Sequence, residues 1–138
     1  MTLVLLDTGP IVALLDRAQH HHDRCAELLS TLGAPLITCE SVISEACHLL
    51  RRVPGAAQAV VQNIESGSFQ IPYQAAGRST ALARLLKKYA NVPMSFADAC
   101  LVDMASELNT ARIFTLDDDF RIYRWGRNRP FELVLQGV

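Results

Sequence analysis

The sequence predicts an α/β fold: a mainly parallel sheet covered by helices on both faces. Short apolar runs alternate with segments of helical period along the chain, the pattern of β-α-β units. The runs Leu3-Val4-Leu5-Leu6 and Arg112-Ile113-Phe114-Thr115 are continuous, with little or no polar alternation, as in strands buried on both faces. The helical segments between them carry one apolar side each, the stripe a helix lays on a sheet.

Taken in order, the first strand stops at Asp7-Thr8-Gly9-Pro10, where Thr8 can cap and Pro10 can open a helix running to Leu15. A second amphipathic helix is predicted over 22–32, closed by Gly33 with Pro35 beyond. A short strand at 36–38 precedes a helix over 41–52, which Pro54-Gly55 breaks before another apolar segment at 56–64. An extended piece at 69–71 leads to helical period over 74–89, with Ala81, Leu82, Leu85 and Leu86 on one side. A helix over 95–108, the strand at 112–115 and an extended piece at 132–135 complete the pattern. No internal repeat, linker or low-complexity stretch interrupts it, so residues 1–138 read as one domain.

Composition narrows the function. Thirteen basic against fourteen acidic residues leave a net charge of −1, so a nucleic acid would need a local basic patch. Cys25, Cys39, Cys47 and Cys100 form no CxxC pair, which removes zinc ribbons and thioredoxin-type sites. They read as small buried hydrophobes of a reducing compartment. Asp7 and Pro10 interrupt the apolar start, and no uncharged stretch approaches the roughly twenty residues of a membrane span. A soluble, cytoplasmic protein is predicted.

In open parallel sheets ligands bind beyond the carboxyl ends of the strands. Asp7 directly follows the first strand, and Asp117 stands two residues after Thr115. Each alone could be a turn or helix cap. Asp98 ends a capping-box pattern, Ser95-Phe96-Ala97-Asp98. It also lies at the margin of the stripe made by Ala97, Cys100, Leu101, Met104, Ala105 and Leu108, whereas Asp103 on the opposite side reads as a solvated acid. Glu45 holds the same marginal place beside Val42, Ile43, Ala46, Leu49 and Leu50. Gathered at one edge, such acids repel one another unless a cation sits among them. Oxygen ligands select Mg²⁺ or Mn²⁺ over zinc, ions suited to phosphoryl chemistry.

Leu5-Leu6-Asp7-Thr8-Gly9-Pro10, Ser44-Glu45-Ala46, Phe96-Ala97-Asp98-Ala99 and Thr115-Leu116-Asp117-Asp118-Asp119-Phe120, in that order and spacing, resemble the PIN-domain ribonucleases. Within that family the compact size is most similar to the VapC-type toxins of bacterial toxin–antitoxin pairs. The resemblance implies a three-layer α/β/α fold and metal-dependent cleavage of single-stranded RNA, leaving 5′-phosphate and 3′-hydroxyl ends. It implies that Asp7, Glu45, Asp98 and Asp117 surround Mg²⁺ or Mn²⁺, with Asp119 as a further candidate ligand. Thr8 and Thr115 would orient carboxylates or water from behind. A cognate antitoxin and a homodimer or larger assembly are the implied partners, the apolar helices near 12–15 and 56–64 being candidates for those contacts.

Two other features stand out. His20-His21-His22 cannot share a metal on one helix face, which needs spacing of four, and reads as a polar loop. Residues 121–129 hold Arg121, Arg124, Arg127 and Arg129 with Tyr123 and Trp125 between them. That composition suits phosphate contacts and base stacking, or equally a surface loop whose aromatics plug the core. A phospho-receiver domain fits less well, because Asp7 has no acidic neighbour and acids, not a lysine, follow the late strand. A PIN nuclease working without an antitoxin and a catalytically silent PIN scaffold are the alternatives within the family.

Overall fold

Val4, Leu5 and Leu6 are fully buried, so their strand has to lie between two covered surfaces. The computed structural model describes residues 3–136. In chain order the first half comprises β1 (Val4–Leu6), α1 (Thr8–Leu15), α2 (His22–Leu32), β2 (Leu36–Ile37), α3 (Glu40–Leu49), α4 (Ala56–Glu65) and β3 (Phe69–Gln70). The second half comprises α5 (Ser79–Lys88), α6 (Phe96–Leu108), β4 (Arg112–Phe114), a 3-10 turn (Asp118–Arg121), β5 (Arg124–Trp125), β6 (Arg129–Pro130) and β7 (Glu132–Leu133).

Strands β3-β2-β1-β4-β7 form one parallel sheet with β1 at its centre. Val4 is opposite Leu36 on one side, and Leu5 is opposite Ile113 on the other. Right-handed crossovers put α1 to α4 on the face swept by β1, β2 and β3, and α5 and α6 on the other. The packing agrees in the main: α1 lies against α2, α3 and α4, α5 lies against α6, and α3 and α6 meet between the two groups. This is the predicted three-layer α/β/α arrangement. The strand order turns back between β1 and β4, which makes the gap beyond their carboxyl ends the place where a ligand fits.

Local departures from the predicted elements have physical causes. Asp7, not Thr8, caps α1, because its backbone is extended and its carboxylate accepts from the Thr8 amide. The helix predicted over 74–89 begins only at Ser79. Gly77 takes a left-handed φ of 88°, and Tyr73 and Arg78 are drawn down onto Asp103. Asp103 is accordingly not the solvated acid its position suggested but is 4% exposed. Tyr73 donates to it at 2.7 Å, and Arg78 grips it with two bonds of 2.8 Å. Residues 124–130 form an antiparallel hairpin that composition did not reveal.

Cys25, Cys39 and Cys100 are buried as predicted, Cys47 is only half-buried, and none of the four is in a disulfide. His22 heads α2, where its ring hydrogen-bonds the Ala13 carbonyl at 2.7 Å. Among the described residues no helix is long and apolar enough to cross a membrane.

Candidate active site at the carboxyl edge of the sheet

Asp7, Glu45, Asp98, Asp117 and Asp119 all line one cleft of about 630 Å³, with Asp118, Thr8, Ser95 and Gln19 around them. Four separate stretches of chain supply them: the end of β1, the middle of α3, the first turn of α6 and the segment after β4. The acids were predicted to share an edge, and the fold brings every one of them to it.

Asp7 is the most buried of the set, at 7% exposure. Its Oδ1 accepts from the Thr8 amide at 2.8 Å and its Oδ2 from the Thr115 hydroxyl at 2.6 Å. Thr115 Oγ1 in turn accepts from the Asp117 amide at 3.0 Å, so one hydroxyl ties the ends of β1 and β4 together. Burial pushes the Asp7 carboxyl up to about 6, against the pull of those two hydrogen bonds and with the help of charge on Asp98 and Asp117. Asp117 caps the 3-10 turn by accepting from the Asp119 amide at 2.9 Å.

Asp98 sits on the first turn of α6, where Ser95 caps the helix by accepting its amide at 3.0 Å. Burial raises its carboxyl, and the Tyr123 hydroxyl, donating to Oδ2 at 2.9 Å, works the other way. Asp119 is raised by partial desolvation and by the neighbouring Asp117 and Asp118. Glu45 is exposed on α3 and reaches the same cleft.

Among the described residues no three side chains of the Asp, Glu, His and Cys types close into a ready-made cage for an ion. A hydrated hard cation needs no such cage: Mg²⁺ keeps several waters and takes one or two carboxylates directly. The donor set is all oxygen, it raises its own proton affinity, and Thr8 Oγ1 is buried in its wall without a partner. A buried hydroxyl left this way calls for a water or an ion beside it. The residues present fit Mg²⁺ or Mn²⁺.

The tract at 121–129 divides. Tyr123 is wholly buried and Trp125 is 6% exposed, its indole nitrogen donating to the Pro130 carbonyl. These rings pack the core, which decides between the two readings of the tract: its aromatics plug the core and do not stack on bases. Arg124 spends its guanidinium on the carbonyls of residues 121, 122 and 123, and Arg129 lies over the Trp125 ring. Arg121 and Arg127 are exposed, Arg121 beside Asp118 at 3.2 Å. The Gly126 amide donates to Ser106, which places the hairpin turn about 12 Å along α6 from Asp98 at the usual helical rise.

A model of the PIN domain family matches residues 4–126. The chain belongs to the PIN-domain family. Ribonuclease VapC26 of Mycobacterium tuberculosis is 27% identical to this PIN domain over 116 residues, covering 83% of this chain and 86% of the relative. The crystal structure of VapC20 of the same organism, described as a sarcin-ricin loop cleaving toxin, superposes with a TM-score of 0.80 at 22% identity. That match covers 92% of this chain and 99% of the other, and it shows the shared fold.

Sequence reasoning passed over several residues that shape the cleft of this PIN domain. A Cβ on Gly9 would meet Leu116 at 3.3 Å, so glycine lets the start of α1 approach the segment that carries Asp117. Leu49 lines the cleft while 53% exposed. Gln19 reaches it from the turn after α1. Gly9 was legible only as part of a helix opening and Leu49 only as part of the apolar stripe of α3, which the structure instead leaves exposed at the cleft; nothing in the sequence marked Gln19.

Proposed function

We propose that this protein is a Mg²⁺- or Mn²⁺-dependent endoribonuclease for single-stranded RNA, the toxin of a type II toxin–antitoxin pair. The single observation that carries the reading is the convergence of Asp7, Glu45, Asp98 and Asp117 on one cleft at the β1/β4 switch point, with Asp7 buried among them. The PIN-family match and the ribonuclease relative support the chemistry; the VapC-type relatives support the toxin role.

Asp7 and Asp98 would be the principal ligands, and Asp117, Glu45 and Asp119 would hold waters of the ion or contact it. Once bound, the ion supplies an acidified water and positive charge opposite a phosphodiester. Thr115 fixes Asp7 and the backbone of Asp117 together, so the spacing of two acids is set by one hydroxyl. Thr8 Oγ1 is free to hold a water at the same wall. The single domain works in the cytoplasm, and a small antitoxin and a second copy of the chain cover its exposed apolar surface.

Thermal unfolding with Mn²⁺ or Mg²⁺ gives the primary test, since it requires no choice of RNA. Metal should raise the midpoint by mass action, and Asp98→Asn should lose that gain without losing stability in metal-free buffer. No response in the parent, with Asp98→Asn simply less stable, would leave a silent PIN scaffold. Growth arrest on expression, relieved by the product of the neighbouring gene, separates a toxin from a PIN nuclease of RNA turnover.

Arg121 follows the acid segment directly, whereas Arg127 stands on the distant hairpin turn. Arg121→Ala should weaken binding of a single-stranded RNA and lower the slope of log affinity against log salt by about 1, Arg127→Ala by less. Equal slopes for parent and both variants would remove the tract from the RNA path.

A further inference from the structure

Tyr123 is wholly buried, yet its hydroxyl donates to a cleft carboxylate, Asp98 Oδ2, at 2.9 Å. A buried phenol needs an acceptor, and a backbone carbonyl would serve the core equally well. This ring is held from several directions. It meets Phe120 edge-to-face at 5.0 Å and 89°, and Tyr89 at 5.0 Å and 68°. Phe120 is braced in turn by Phe131 at 5.4 Å. The Tyr123 amide donates to the Asp119 carbonyl at 3.1 Å, and the next amide, of Arg124, donates to the Tyr89 hydroxyl at 2.9 Å. The phenol therefore has no freedom to follow Asp98; Asp98 must come to it.

The seven residues from Asp117 to Tyr123 thus do two things: they carry the acids after β4 and they grip the acid of α6. A carboxylate on a helix surface, repelled by Asp7 and Asp117, would otherwise swing towards solvent. We propose that Tyr123 is a positioning residue that acts through Asp98, a strut fixing the α6 carboxylate against the Asp117 segment so that both present to one ion. This rests on the nuclease reading above and assigns a role to a residue that never touches the ion or RNA. A partner that orients a metal ligand commonly contributes tenfold or more in affinity.

The test is Mn²⁺ affinity, measured by titration calorimetry and by midpoint shift, for the parent, Tyr123→Phe and Tyr89→Phe. Tyr123→Phe keeps the ring and should weaken Mn²⁺ about tenfold. Tyr89→Phe loses a hydrogen bond of the same aromatic cluster and should bind Mn²⁺ as the parent does. A purely structural tyrosine predicts the reverse: parental affinity in Tyr123→Phe, or equal weakening by both phenylalanine variants. Either of these in a responsive parent overturns the strut alone, while a parent that binds no Mn²⁺ overturns the nuclease reading and the strut with it.

Discussion

Asp7→Asn is expected to stabilise the metal-free protein at pH 7, to abolish its response to Mn²⁺ and to reduce RNA cleavage at least a thousandfold. Burial raises this carboxyl from an ordinary 3.8 to about 6, a displacement equivalent to about 3 kcal/mol. Below its ordinary value the group is neutral in both folded and unfolded chains, and no cost arises. Above about 6 it is charged in both, and the native state bears the whole penalty of burying it. The parent should therefore lose stability as pH rises from about 4 to about 6 and stay low above that, opposite to the usual behaviour of a paired carboxylate. Asparagine removes the charge but not every contact: its oxygen can accept from only one of the Thr8 amide and the Thr115 hydroxyl. A lost hydrogen bond of about 1 kcal/mol leaves a net gain of about 2 kcal/mol, or roughly 6 °C for a chain of this size. Differential scanning calorimetry at pH 4.5 and 7 decides the point. A variant less stable than the parent at pH 7 would mean that Asp7 serves only as a cap. The loss of cleavage follows because several kcal/mol of charge stabilisation leave with the ligand.

Asp103→Asn should do the opposite. Asp103 is buried, and the hydrogen bonds from Arg78 and Tyr73 outweigh its desolvation and hold its carboxyl below the ordinary range. Its contribution is present above the ordinary value and is lost as pH falls through the lower native one. The amide keeps at most one acceptor for two partners and forfeits the charge, a cost of about 2 kcal/mol and a midpoint lower by roughly 6 °C. Because Asp103 is not among the residues lining the cleft, the Mn²⁺-induced rise should persist at its full size. Loss of that rise would show that α5 and α6 carry metal binding indirectly.

Asp98 and Asp103 show what the sequence could and could not convey. Five residues apart on one helix, they stand about 140° from each other, so the apolar stripe correctly separated a cleft acid from one facing elsewhere. What lay over that other side depended on α5, whose start is set by Gly77 and by the bonds from Tyr73 and Arg78 to Asp103 itself. A pattern within one helix holds no information about its cover. The same limit explains Tyr123 and Trp125. Composition registered aromatics among arginines, but a hairpin closed by residues that pair two at a time leaves too short a period to detect. The strands and the acids that end them were legible because continuous apolar runs admit few structures. The cleft's width, set by Gly9 against Leu116, came from a contact between residues over a hundred positions apart.

The order of the strands has a consequence for how the protein is made. β4 lies between β1 and β7, and Asp117 reaches the cleft only once β4 has paired with β1 across more than a hundred residues. A growing chain that has emerged through α6 already contains Asp7, Glu45 and Asp98, but it has no partner on that side of β1 and no Thr115 to bridge to Asp7. The pocket is therefore absent from every shorter nascent chain and forms in one late step. Such contacts between distant positions are slow to close. As a nuclease, the protein would be harmless to the message it is being read from until the segment that carries Thr115 and Asp117 has been translated.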